Sequence, residues 1–169
     1  MTGNAALDVL YLAGMKLLAS RKKATMENTP TGKIILVVED DEDTRYVLWL
    51  ILSEAERYYP MLVNDAYQAL LVATHRKPDL FLIDYNLPHM NGIELYDQLH
   101  VLEELEEVPA ILLSAMSGPW QQELQDRHLA GLEKPFAMHA LLALIEHVLV
   151  KQEERRLADL GAKAPLACV

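Results

Sequence analysis

Residues 81–92 of the 169-residue chain read FLIDYNLPHMNG, and the apolar run at their start ends abruptly on the carboxylate of Asp84. The three residues before Asp84 predict the end of a buried strand, and Pro88 and Gly92 then break any regular structure. A charge at the tip of so hydrophobic a strand is unusual, because burying a carboxylate is costly unless it is paired. Asp84 is therefore the first candidate functional residue.

The rest of the chain alternates short apolar runs with longer segments of helical periodicity, such as residues 48–55. Strands are predicted at residues 33–38, 60–63, 79–84, 109–114 and 131–134. Strands that alternate with helices predict an α/β fold, a doubly wound five-stranded parallel sheet with helices on both faces. Asn64 or Asp65 is expected to cap the second helix, and the third helix is expected to include Leu102.

Composition and charge exclude several classes of protein. The net charge of -10 argues against a nucleic-acid partner, since phosphate binding needs clustered Lys and Arg. Cys168 is the only cysteine, so no disulfide framework forms within one chain, and we expect a cytoplasmic protein. Residues 5–19 are apolar but too short to span a membrane, and basic residues follow them instead of preceding them, unlike in a secretory signal. We therefore expect no membrane partner. These residues could form an amphipathic surface helix. Alternatively, the functional chain begins at Met26 with MENTPTGK as a short polar leader, and we favour this second interpretation.

Polar side chains stand at the carboxyl ends of the predicted strands, where open parallel sheets bind their ligands. These residues are Glu39, Asp40, Asp84, Ser114 and Lys134. Converging carboxylates repel unless a cation neutralises them, and oxygen ligands without His or Cys favour Mg²⁺ over zinc. A carboxylate beside Mg²⁺, a lysine and a hydroxyl suits a phosphoryl group, with Asp84 as the nucleophile.

Each of these residues also has a simpler interpretation. The acidic run 39–41 could cap the next helix, and Asp84 could begin a turn that Gly92 completes. Ser114 and Lys134 carry little information alone. Their joint placement at four strand ends favours the functional interpretation.

Four motifs, ILVVEDDED, FLIDYNLPHMNG, ILLSA and LEKPF, together resemble a response-regulator receiver domain of two-component signalling. The resemblance covers about residues 33–150. It implies a flavodoxin-like (βα)5 fold with strand order 2-1-3-4-5. It further implies that Asp84 accepts a phosphoryl group from the phosphohistidine of a sensor histidine kinase. Lys134 and Ser114 would bind the phosphoryl oxygens, with Pro135 following a cis peptide bond.

The same resemblance implies a Mg²⁺ site. Asp40 and Asp84 would ligate the ion directly, Glu39 would act through water, and Asn86 would contribute its backbone carbonyl. A phosphohydrolase with an aspartyl nucleophile would want an acid two residues after Asp84, where Asn86 stands. The protein is thus expected to be a phosphoacceptor switch and no enzyme, capable at most of slow self-phosphorylation and autodephosphorylation. The alternative is a phosphorylation-independent interaction module that keeps the fold.

The chain is expected to have three parts. Residues 1–31 form a flexible or partly helical extension, residues 32–150 the receiver domain, and residues 151–169 a C-terminal helix extension and tail. A single-domain regulator of this kind signals through a downstream protein target or a phosphotransfer protein, with a homodimer through the C-terminal helices also expected. Gly131 stands where the family usually has an aromatic switch residue, which predicts a modified switch in which no buried ring follows Ser114.

Overall fold

The computed structural model describes residues 32–115 and 120–162, in which five strands alternate with five helices. The strands are β1 (Lys33–Val38), β2 (Tyr58–Val63), β3 (Leu80–Asp84), β4 (Ala110–Ser114) and β5 (Ala130–Glu133). The helices are α1 (Glu42–Glu54), α2 (Ala66–His75), α3 (Gly92–His100), α4 (Trp120–Asp126) and α5 (Met138–Ala162). The predictions for residues 5–19 and Met26 lie outside the described residues.

The five strands form one parallel sheet in the order β2-β1-β3-β4-β5, which confirms the predicted topology. In the register, Val38 at the end of β1 pairs with Ile83, one residue before Asp84. Asp84 in turn pairs with Leu113, and Ser114 pairs with Glu133. The carboxyl-terminal ends of β1, β3, β4 and β5 therefore lie side by side at the same end of the sheet.

The core has two layers, one on each face of the sheet. Alternate residues of β3 contribute to each: Phe81 and Ile83 pack on the side of α2, α3 and α4, whereas Leu80 and Leu82 pack on the side of α1 and α5. All residues of β3 and β4 are buried. Burial on both faces explains why these strands read as continuous apolar runs with no alternation of polar residues.

On the β2 side, one predicted boundary is wrong and one open alternative is resolved. β2 begins at Tyr58, two residues before the predicted start at Pro60. β2 lies at the edge of the sheet, and an edge strand can contain a proline because one of its sides makes no ladder bonds. Asp65, and not Asn64, caps α2, since its side chain accepts a hydrogen bond from the amide of Gln68 at 2.8 Å.

Two boundaries on the other side also differ. Leu102 lies beyond the end of α3, in a turn where its amide donates to the carbonyl of Leu99 at 3.2 Å. The buried Leu105 holds this turn against the core, which ends the helix early. β5 covers 130–133 instead of 131–134, so Lys134 directly follows the strand.

α5 runs for 25 residues and continues past residue 150 without a break. At ~1.5 Å per residue an α-helix of this size is roughly 37 Å long, which is much longer than a five-residue strand. Leu157 and Leu160 on its last turns are 60% and 68% exposed. In the part of the chain that the structure describes, no helix is long and apolar enough to cross a membrane.

Candidate functional site

The chain leaves β1 through three consecutive acidic residues that have different surroundings. Glu39 is 1% exposed, and its amide still donates to the carbonyl of Val63 in β2 at 3.2 Å. Asp41 is the N-cap of α1, with its side chain accepting from the amide of Thr44 at 2.7 Å. The simpler interpretation of this run as a helix cap therefore accounts for Asp41 alone. Glu39 and the exposed Asp40 remain available to the site.

Three carboxylates meet at the ends of β1 and β3. Glu39, Asp40 and Asp84 each offer an oxygen, and these oxygens all lie within 4.8 Å of one another. Asp84 is only 6% exposed, so the cluster combines two buried carboxylates with one that faces solvent. A hard divalent cation binds oxygen ligands and keeps part of its water shell, and this donor set without His or Cys fits Mg²⁺.

Lys134 forms ion pairs with both buried carboxylates, those of Glu39 and Asp84. Its Nζ donates to Oε2 of Glu39 at 2.6 Å and to Oδ1 of Asp84 at 3.1 Å. Burial alone would lower the pKa of Lys134, but the hydrogen bond to Glu39 and the charge of Asp84 raise it above its usual value. The side chain is therefore an ammonium group at neutral pH.

The pKa of Glu39 is shifted in the direction opposite to that of an ordinary ion-paired acid. Burial raises its pKa, and repulsion by Asp84 adds to this effect, while the hydrogen bond from Lys134 opposes it. The desolvation of the carboxylate outweighs the ion pair, so the pKa of Glu39 lies above its usual value. In the described cluster, three carboxylates face the single ammonium group of Lys134, and a bound cation would offset their mutual repulsion.

The other predicted site residues lie around this cluster. Ser114 is fully buried at the end of β4, and its carbonyl accepts from the amide of Lys134 at 2.7 Å. The peptide bond between Lys134 and Pro135 is cis, as the family resemblance implies. Asn86 is exposed in the loop two residues after Asp84, and the role of its carbonyl as a ligand stays a prediction.

The model of the response regulator receiver domain matches residues 35–146. The chain belongs to this family. PhoB, the phosphate regulon transcriptional regulatory protein of Pseudomonas aeruginosa, is 33% identical over 143 residues, which cover 80% of this chain and 57% of PhoB. DivK, the polar-differentiation response regulator of Brucella ovis, is 31% identical over 119 residues, which cover 69% of this chain and 96% of DivK.

Solved structures agree with this assignment. The chemotaxis protein CheY4 of Vibrio cholerae superposes with a TM-score of 0.65 at 26% identity, covering 69% of this chain and 98% of CheY4. The receiver domain of the sensor histidine kinase PA1611 of Pseudomonas aeruginosa superposes with a TM-score of 0.64 at 28% identity, covering 70% and 98%. That structure is described as having a magnesium ion coordinated in the active site cleft.

Sequence reasoning missed how closely α3 approaches the end of β3 in this receiver domain. A Cβ on Gly92 would lie 2.5 Å from the carbonyl oxygen of Asp84 and 3.0 Å from Cα of Tyr85. The amide of Gly92 donates to the carbonyl of Tyr85 at 2.8 Å, and a capping box between Asn91 and Glu94 fixes the helix start. Only glycine allows this contact, so Gly92 helps to set the position of Asp84.

A second missed feature lies beside β5 of the receiver domain. Trp120 is 5% exposed, and a Cβ on Gly131 would lie 2.7 Å from Cζ3 of its indole ring. The ring of Tyr85 lies 6.4 Å from that of Trp120, and its hydroxyl donates to Oε2 of Glu123 at 3.0 Å. An aromatic ring therefore does lie next to β5, but α4 supplies it. Whether it moves with Ser114 stays a prediction.

Proposed function

We propose that this receiver domain accepts a phosphoryl group on Asp84 from the phosphohistidine of a sensor histidine kinase, in a Mg²⁺-dependent reaction. One observation carries the proposal. The carboxylate of Asp84 lies at the carboxyl-terminal end of the central strand β3, with oxygens of Glu39 and Asp40 within 4.8 Å. Its Oδ1 is 3.1 Å from the ammonium group of Lys134. A buried nucleophilic carboxylate, an oxygen-only cation site and a fixed positive charge are the groups that phosphoryl transfer requires.

In the proposed reaction, an oxygen of Asp84 attacks the phosphorus, and the bond between phosphorus and the histidine nitrogen breaks. The bonding electron pair returns to the imidazole, and Asp84 becomes an acyl phosphate. Lys134 binds a phosphoryl oxygen, and the hydroxyl of Ser114 donates to another. Because its pKa is raised, Lys134 enters this step as a charged ammonium group. The protein contributes by orienting these groups and stabilising charge, so each domain accepts one phosphoryl group and acts as a switch.

Asp40 and Asp84 would ligate Mg²⁺ directly, with Glu39 acting through a water molecule and Asn86 through its backbone carbonyl. Bound Mg²⁺ supplies positive charge to the phosphoryl oxygens as negative charge shifts toward them. The magnesium ion named in the structure of the PA1611 receiver domain supports this part of the proposal. The exposure of Asp40 also supports it, because a cation of this kind retains water ligands.

The proposed partners follow from the same chemistry. A sensor histidine kinase donates the phosphoryl group, and a downstream protein target or a phosphotransfer protein receives the signal. The exposed Leu157 and Leu160 of α5 support a homodimer through the C-terminal helices. The chain spans 57% of the length of PhoB and 96% of the length of DivK. The single cysteine supports a cytoplasmic location.

The test uses acetyl phosphate as the donor and intact-protein mass spectrometry as the readout. With Mg²⁺ present, we expect the mass of one phosphoryl group to be added, and peptide mapping after borohydride reduction to place it on Asp84. Asp84→Asn is the control and should add nothing. No addition to the wild-type protein, together with no beryllofluoride binding in the presence of Mg²⁺, would favour the alternative of a phosphorylation-independent interaction module.

A further inference from the structure

Arg45 of α1 makes an unusual contact with the turn that carries two of the acidic residues. Its Nη1 donates to the carbonyl oxygen of Glu39 at 2.7 Å and to the carbonyl oxygen of Asp40 at 3.1 Å. Successive carbonyls of an extended strand point in opposite directions, so two that converge on one nitrogen require the chain to turn. Arg45 therefore holds the chain in the turned conformation directly after β1.

This contact extends to the carboxylate of Glu39 through one peptide unit. The peptide that carries the carbonyl of Asp40 also carries the amide of Asp41, and this amide faces Oε1 of Glu39 at 3.4 Å. The other oxygen, Oε2, accepts from Lys134 at 2.6 Å. Each carboxylate oxygen of Glu39 therefore has a hydrogen-bond donor that orients it, the amide of Asp41 or the ammonium group of Lys134. Arg45 restrains the first of these donors, because it binds the carbonyl oxygen of the same peptide unit.

We propose that Arg45 is a positioning residue for the cation site: by holding the carbonyls of Glu39 and Asp40, it directs their carboxylates toward Asp84. This inference rests on the proposed function, because it concerns how the same site obtains its affinity for Mg²⁺. Arg45 contacts neither the carboxylate oxygens nor any reacting atom in the described hydrogen bonds, so it acts through the backbone.

The charge of Arg45 and its hydrogen bonds have opposite effects on cation binding. A guanidinium group next to an acidic cluster repels an incoming cation, so removing its charge should strengthen Mg²⁺ binding. Removing its hydrogen bonds should weaken Mg²⁺ binding, because the two backbone units are then free to turn away. The sign of the change in affinity therefore distinguishes a positioning role from a purely electrostatic one.

The experiment compares Mg²⁺ affinity by calorimetry in the wild-type protein, Arg45→Gln and Arg45→Lys. Lysine keeps the charge, but its stem is shorter and it lacks the guanidinium fork. We expect Arg45→Lys, which keeps the charge, to bind Mg²⁺ about five- to tenfold more weakly, as the loss of one or two hydrogen bonds predicts. Arg45→Gln should also bind more weakly than the wild type, but by a smaller factor, because the loss of its charge opposes the loss of its hydrogen bonds. Arg57→Gln is the matched control, because Arg57 precedes β2 at the opposite end of the sheet and pairs with Glu146, and it should leave the affinity unchanged.

A second readout needs no metal. In EDTA, hydrogen exchange at the amide of Asp41 should be about fivefold faster in Arg45→Gln than in the wild type, with no change in Arg57→Gln. Equal or tighter Mg²⁺ binding by Arg45→Gln, or unchanged exchange at Asp41, would overturn the positioning role while leaving the proposed function intact. Failure of the wild-type protein itself to bind Mg²⁺ would overturn the proposed function, and this inference with it.

Discussion

Replacing Gly131 with alanine tests whether Trp120 occupies the space that a side chain on β5 would need. The added methyl would lie 2.7 Å from the indole ring, and a methyl group of Leu124 would also have to move. The tip of Leu124 can rotate, whereas the indole is 5% exposed and packed among core residues. Inserting a methyl into such a contact costs about 1–3 kcal/mol.

A second effect acts in the opposite direction. Gly131 does not have a positive φ, so alanine fits its backbone conformation. Replacing glycine with alanine at such a position stabilises a protein by about 0.4–1 kcal/mol, because the unfolded chain loses freedom. The net expectation is a loss of about 1–2 kcal/mol in the free energy of unfolding. For a protein of this size that corresponds to a fall of roughly 2–8 °C in Tm.

The assay is urea unfolding followed by far-UV circular dichroism, because tryptophan fluorescence would change with the second substitution. Gly131→Ala is measured alone and in a Trp120→Leu background, and Gln121→Ala on the exposed face of α4 is the control. Without the indole, Gly131→Ala should be neutral or stabilising, which gives a coupling energy of about 1–3 kcal/mol, the steric cost itself. The reasoning fails if Gly131→Ala leaves the wild-type protein equally stable, or if its effect is the same in both backgrounds.

Three further predictions follow from other contacts. Gly92→Ala should lower the free energy of unfolding by about 2 kcal/mol, because its methyl meets the backbone of Asp84, which cannot rotate away; an unchanged urea midpoint would contradict this. Lys134→Met should lower stability in EDTA by about 3 kcal/mol, since it leaves two buried carboxylates unpaired. It should also tighten Mg²⁺ binding in calorimetry, and weaker binding would contradict this. The hydrogen bonds from Arg127 lower the pKa of Asp97 below its usual value of 3.8, so the pair stabilises the fold above that pH and loses its effect as the pH falls through the lowered value. Arg127→Gln should therefore cost at most about 1 kcal/mol at pH 7, and this cost should shrink as the pH falls below 3.8; a difference that stays constant in acid would refute this.

The central sheet could be predicted from the sequence because its physics is local to each strand. Residues of β3 and β4 are buried on both faces, and this leaves an uninterrupted apolar signal that ends at Asp84 and Ser114. Once the strands are known to be parallel, their carboxyl-terminal ends must lie at the same end of the sheet. The convergence of Asp84 with the acidic residues after β1 therefore needed no information on side-chain packing.

The missed features depend on shape and on the backbone, and neither leaves a pattern of polarity in the sequence. Gly92 and Gly131 are glycines because of atoms that come close only after folding. Arg45 binds carbonyl groups, which every residue has, so nothing at Glu39 or Asp40 indicates this partner. The two residues of β2 before Pro60 were missed because a proline in the interior of a strand normally argues against that strand, and only the position of β2 at the sheet edge makes Pro60 acceptable there.

The proline in β2 also affects how these domains can associate. An exposed strand is a template on which another chain can add a strand, and this is a common route to aggregation. Pro60 is the third of six residues in β2 and has no N–H to offer, so a continuous ladder of new hydrogen bonds cannot form along this side. At the other margin, β5 has only four residues, which is short for such a template. Within residues 32–115 and 120–162, neither border of the sheet favours polymerisation, whereas the exposed leucines at the end of α5 offer a helical surface for self-assembly.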